Sequence, residues 1–129
     1  MTYSPLEITQ ISSINKKNSS IMKYFIELFT PTQAWLDLSK QERAAYLNHV
    51  NDFSKGLMDQ GVVIVSMSEN DQDTLHRAEY DFFVIWTIPT DELANAVQEL
   101  MAGSDWFTYF DQLNLKGDST DIFEKLINL

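Results

Sequence analysis

A single carboxylate, Glu27, interrupts the otherwise apolar run Tyr24-Phe25-Ile26-Glu27-Leu28-Phe29. Removing an acid from water is costly unless it is paired or hydrogen-bonded, and desolvation raises its pKa, by as much as about 3–5 units at full burial. A group tuned in that way can serve as a general acid or base near neutral pH. An Arg, Lys, Tyr or Trp partner would instead make it a structural acid. A second polar set lies in Asp73-Thr74-Leu75-His76-Arg77-Ala78-Glu79-Tyr80-Asp81. His76 exchanges a proton near neutrality and joins Glu27 as a catalytic candidate. Arg77 can hold a carboxylate bidentately, and with Tyr80 it suits an acidic or hydroxylated small molecule. Loop capping and surface ion pairs would use the same residues. The third set is Trp106-Phe107-Thr108-Tyr109-Phe110-Asp111-Gln112, with Trp86 upstream. Trp86, Trp106, Tyr109 and Asp111 are ligand-binding candidates, because aromatics with polar tips line small-molecule pockets, although they also fill cores. Asp111 would approach Glu27 if their strands are neighbours, and two close carboxylates would push one pKa higher. His49 reads as a partly covered helix residue.

Other chemistries lack their residues. The chain has no cysteine, which removes disulfides, thiolate nucleophiles and sulfur-ligated metals together and fits a cytoplasmic protein. His49 and His76 form no HxxxH or HExxH pattern, so no metal site is expected. Four glycines leave no room for a phosphate-cradling loop, and no GxSxG is present. No cofactor is expected. Nine basic residues against nineteen acidic ones give a formal charge of −10, which argues against nucleic acid and anionic membrane and favours solubility. No apolar run is long enough to span a bilayer.

These residues need elements to position them, and 129 residues make one ordinary domain. Residues 1–21 are polar and read as a flexible N-terminal extension without the pattern of a secretory signal. Met22, directly before the first strand, is an alternative start that mass spectrometry of a native chain beginning at Met1 would eliminate. The domain proper is residues 22–129. A strand over Lys23–Phe29 stops at Thr30-Pro31. Ser39-Lys40-Gln41-Glu42 is a capping box opening a helix whose stripe is Tyr46, Val50, Phe53 and Leu57, closed by Gly61. Val62–Met67 is a second strand and Ser68–Glu79 a polar loop. A third strand, Asp81–Ile88, ends at Pro89. Thr90 caps a helix bearing Leu93, Val97, Leu100 and Met101. One further turn precedes a fourth strand, Phe110–Leu115, and Ile122, Phe123, Leu126 and Ile127 predict a short terminal helix.

The order strand-helix-strand-strand-helix-strand predicts an α+β, ferredoxin-like βαββαβ fold with a four-stranded antiparallel sheet. Its central first and third strands are the two that are apolar on both sides. Two helices shield one face, with Tyr24, Ile26 and Leu28 as the cleaner helix-facing set. Phe25, Phe29, Phe83 and Ile85 are then left on the other face. Burying four such side chains contributes roughly 6–12 kcal/mol per subunit as an upper estimate. For two subunits this offsets an association cost of roughly 4–15 kcal/mol. A second copy of the chain is therefore the expected cover. The terminal helix and the leader of the same chain are the competing one.

The run Tyr24–Asp118 resembles an uncharacterised family within the dimeric α/β-barrel superfamily. The residues that carry the likeness are Tyr24-Phe25-Ile26-Glu27-Leu28 with Thr30-Pro31 and Ala34-Trp35-Leu36. To these add His76 through Phe83 with Trp86, and Trp106 through Gln112 with Asn114. The resemblance implies two ferredoxin-like subunits packed sheet on sheet into a barrel, with a cleft in each. Relatives in that superfamily include cofactor-independent monooxygenases, isomerases, haem enzymes and stress-response proteins. No histidine here is placed as a proximal haem ligand, so haem is not implied. The expectation is a homodimer that binds a small aromatic or hydroxylated molecule in a sheet-lined cleft and acts as an oxygenase- or isomerase-like catalyst. A non-catalytic stress-associated or interaction dimer is the alternative, because fold does not fix function.

Overall fold

The computed structural model describes residues 22–129, so the extension expected over residues 1–21 lies outside the described residues. The chain is α+β. Its strands are β1 (Lys23–Pro31), β2 (Val63–Glu69), β3 (Phe82–Ile88) and β4 (Phe110–Gly117). Its helices are α1 (Gln33–Leu36), α2 (Lys40–Asp59), α3 (Asp91–Ala102), α4 (Trp106–Tyr109) and α5 (Ile122–Ile127). The four strands make one sheet in the order β2-β3-β1-β4, every neighbouring pair antiparallel. The two strands that are apolar on both sides therefore hold its centre.

Cross-strand partners share a face of the sheet, so the register decides what faces the helices. Phe25 lies opposite Trp86 and Lys116, Glu27 opposite Val84 and Asn114, and Phe29 opposite Phe82 and Gln112. Phe25, only 1% exposed, joins Leu57, Val62, Ile88, Ala94 and Val97 in the core under the helices. This corrects the expected assignment of β1. Phe25, Glu27 and Phe29 face the helices, whereas Tyr24, Ile26 and Leu28 lie on the opposite face. Alternation alone could not decide, because both sets are bulky and the single charge sits in the buried one. Phe83 and Ile85 do lie on the face away from the helices, opposite Leu28 and Ile26.

Local chemistry sets the helix ends. The Ser39 side chain accepts from the Glu42 amide at 3.1 Å, and the Glu42 carboxylate accepts from the Ser39 amide at 2.9 Å, completing the capping box. Thr90 caps α3 by accepting from the Leu93 amide at 3.1 Å. The end of α2 is a Schellman motif, in which the Val62 amide donates to Leu57 and the Gly61 amide to Met58. Gly61 has φ 98°, and a Cβ there would sit 3.3 Å from Pro89 Cγ. The strand β1 runs through Pro31 instead of stopping before it. Pro31 pairs with Phe110 of β4 after pairing with β3 has ended at Phe29, so the missing N–H is not needed on the β3 side. Lys23 at the start of β1 bridges Asp91 of α3 at 3.2 Å and Asp118 at 2.8 Å. The terminal helix α5 leaves Ile122, Phe123, Leu126 and Ile127 exposed.

Candidate functional site

The helix α2 does not lie flat on the sheet; it fully buries only Ser54 and Leu57. Its expected stripe of Tyr46, Val50, Phe53 and Leu57 instead lines a cavity of about 560 Å³. The sheet contributes Glu27 and Trp86 to this cavity, α3 contributes Val97, Leu100 and Met101, and Trp106 of α4 closes one side. Glu27, Ser54, Leu57 and Val97 are buried, so they form its floor, while His49, Asp52, Phe53 and Ser104 are exposed at its rim.

Glu27 is 4% exposed. The Trp86 indole N–H donates to its Oε2 at 2.7 Å, and Gln112 Nε2 donates to its Oε1 at 3.1 Å. Gln112 Nε2 also donates to Asn114 Oδ1 at 2.8 Å, and the Gln112 carbonyl accepts from the Trp106 indole at 2.6 Å. The result is a continuous chain, Trp106 to Gln112 to Glu27 to Trp86, drawn from α4, β4, β1 and β3. Burial pushes the Glu27 carboxyl above its usual range, and the donors of Trp86 and Gln112 pull it part of the way back. No ion pair to Glu27 occurs among the described residues. The partners of this acid are therefore neutral N–H groups.

Aromatic rings support the chain from one end. Trp106 packs against Phe110 in a tilted pair with centroids 4.2 Å apart and meets Phe29 edge-on at 5.6 Å. Trp35, Tyr46 and Tyr109 form a second triangle, with Tyr46 and Tyr109 at 4.9 Å. Burial, then the charge of Asp105, raises the Tyr46 hydroxyl above its ordinary pKa. Tyr109 thus buttresses the cavity wall through Tyr46 and does not line the cavity.

The residues singled out from sequence separate into groups. Glu27, Trp86 and Trp106 meet in the cavity. Asp111 pairs with Thr30 on the opposite face of the sheet, so it forms no carboxylate pair with Glu27, whose neighbour on β4 is Asn114. His76, Arg77 and Tyr80 lie in the β2–β3 loop and do not line the cavity. There Arg77 donates to the carbonyls of Asp71 at 2.9 Å, Asn70 at 3.2 Å and Tyr80 at 3.1 Å, and Asn70 donates to those of Ala78 and Tyr80. His76 has φ 52°, a left-handed turn conformation. Gln112 is the site residue that sequence reasoning missed as a contributor; its position two residues before Asn114 on a strand was the available signal.

No group of His, Asp and Glu among the described residues is arranged to hold a metal ion. No helix among them is long and apolar enough to cross a membrane. Residues 22–129 match the model of a family of unknown function, DUF6616, and the chain belongs to that family. Neither a curated protein nor a solved structure matches it.

Proposed function

We propose that this family member is a cytoplasmic homodimer that takes a small organic molecule, aromatic or hydroxylated, into the cavity between α2, α3 and the sheet. The observation that carries this reading is the buried Glu27 on the floor of an aromatic-walled space of about 560 Å³. That volume lies in the ordinary range for small-molecule sites, and a few polar groups on apolar walls is their usual composition. With its pKa raised by burial, Glu27 is the acid–base residue, moving a proton in an isomerase- or oxygenase-like reaction without metal or cofactor. His76, Arg77 and Tyr80 would contribute only if their loop folds over a bound ligand.

Support for the ferredoxin-like, barrel-forming reading comes from the strand order, which reads β4-β1-β3-β2 from the other edge, with a helical connection between β1 and β2 and another between β3 and β4. The face away from the helices carries half-buried Ile26, Leu28, Phe83 and Ile85. Beside them, Leu113 and Leu115 are each 57% exposed. A second subunit packed there would remove this surface from water.

The test is a thermal-shift screen of aromatic and quinone-like compounds, followed by turnover measurements on the Glu27→Gln variant. Ligand-raised melting temperatures, with turnover lost and dimerisation kept in the variant, are expected. Unchanged turnover would remove the catalytic role. One observation favours a second, non-catalytic reading: both Glu27 oxygens are already engaged, by Trp86 and Gln112. An absence of thermal shifts together with a specific protein partner would select that reading.

A further inference from the structure

We infer that the cavity takes a cationic ligand: a protonated primary or secondary amine carried on an apolar, aromatic-sized body, with its ammonium seated against Glu27. This rests on the small-molecule reading above and names its ligand class. The lining contains two carboxylates, Glu27 and Asp52, one histidine, His49, exposed at the rim, and no Lys or Arg. Glu27 is the only one of the two that is buried, and its partners are the neutral N–H groups of Trp86 and Gln112. A buried carboxylate held only by neutral donors has no countercharge and burial favours its neutral form, so a cation arriving beside it supplies the missing countercharge and stabilises the ionised form.

Glu27 can accept further bonds. Each carboxylate oxygen has two lone-pair directions, and Trp86 and Gln112 occupy one on each oxygen. A primary ammonium has three N–H groups, a secondary one two, and neither has an acceptor, so either fits the remaining lone pairs. The indoles of Trp86 and Trp106 line the same space, and aromatic rings attract cations. At the rim, Asp52 adds negative charge, and the protein as a whole carries −10. That field raises the local concentration of cations and lowers that of anions. An acidic aromatic ligand would meet the opposite of each of these. The raised Glu27 pKa agrees with a carboxyl that has no cation directly beside it.

The test uses three probes with one shape, titrated into the full chain by calorimetry: 2-naphthylmethylamine, 2-naphthalenemethanol and 2-naphthoate. The expected order is amine tightest, by about tenfold over the alcohol, with the carboxylate weakest. In E27Q the amine should fall to the affinity of the alcohol. If the alcohol or the naphthoate binds as tightly as the amine, the cavity is a small-molecule site but the cationic class is wrong. An amine preference that survives intact in E27Q also overturns the inference, since the selectivity then comes from elsewhere. If none of the three binds, both the class and the small-molecule reading fall. Should E27Q not fold, the Trp86 indole N–H resonance of the wild-type protein serves instead. The amine must move it further than the alcohol does, and equal shifts overturn the inference.

Discussion

Trp106 fixes which way Gln112 faces. An indole nitrogen can only donate, so the 2.6 Å bond from Trp106 Nε1 requires the carbonyl end of the Gln112 amide, and the amide nitrogen is thereby turned toward Glu27. Replacing Trp106 by Phe removes that constraint. The expected cost is about 1 kcal/mol of stability, measured by urea denaturation, for one lost hydrogen bond. The Glu27 pKa should move further upward as the Gln112 donor becomes free to rotate away. Infrared titration of the protonated carboxyl would follow that shift, and Gln112→Leu should move it in the same direction.

Glu27 also predicts a pH dependence of stability. Its folded-state pKa lies above the ordinary value of 4.5. Between those two values the folded state binds more protons than the unfolded one, so stability falls as pH rises through that window and levels off above it. Melting temperature should therefore decline with rising pH in the wild type relative to Glu27→Gln, which has nothing to titrate there. Parallel curves from pH 4 to 8 would show that the carboxyl is unperturbed.

The proposed dimer can be tested without touching the cavity. Leu113 and Leu115 face away from the helices on an edge strand, so lysines there leave the core intact. The double variant Leu113→Lys, Leu115→Lys should sediment as a folded monomer where the wild type sediments as a dimer. A variant that remains dimeric would show that the interface lies elsewhere.

Arg77 offers a sharp comparison between two roles. Its guanidinium holds the carbonyls of Asn70, Asp71 and Tyr80, so Arg77→Ala should speed amide exchange across the β2–β3 loop while leaving ligand affinity in the cavity unchanged. Lost affinity with unchanged exchange would assign it to ligand binding.

Ser39→Ala removes the side-chain acceptor at the start of α2 and should cost about 1 kcal/mol in chemical denaturation. The cavity is lined by this helix, so affinity for a ligand of the proposed kind should fall along with stability.

The element order, both caps, the glycine stop and the central position of β1 and β3 were legible because each rests on local chemistry: a Ser with a Glu three residues on, a Thr before acids, a Gly after a stripe. The facing of β1 was not. Phe25 and Ile26 are equally apolar, and only the partners Trp86 and Gln112, distant in sequence, explain why the Glu27 set is the buried one. Glu27 itself stood out from sequence because a lone acid among aromatics is costly wherever it lies. Gln112 did not, since its role depends on a cross-strand register. The α2 stripe was legible as apolar, but not that it would line open space instead of seating on the sheet.

That stand-off gives α2 the mechanics of a beam clamped at both ends. Near its start, Arg43 ties it to the carbonyls of Trp35 and Leu36, and Tyr46 wedges against Trp35 and Tyr109. At its far end Leu57 is buried, and the Val62 and Gly61 amides close the helix on the carbonyls of Leu57 and Met58. A rod so fixed can bow at mid-span but cannot pivot. A ligand of the proposed kind would then pass the exposed rim at His49 and Phe53, and its girth would be limited by how far the roughly three helical turns between the clamps can bend.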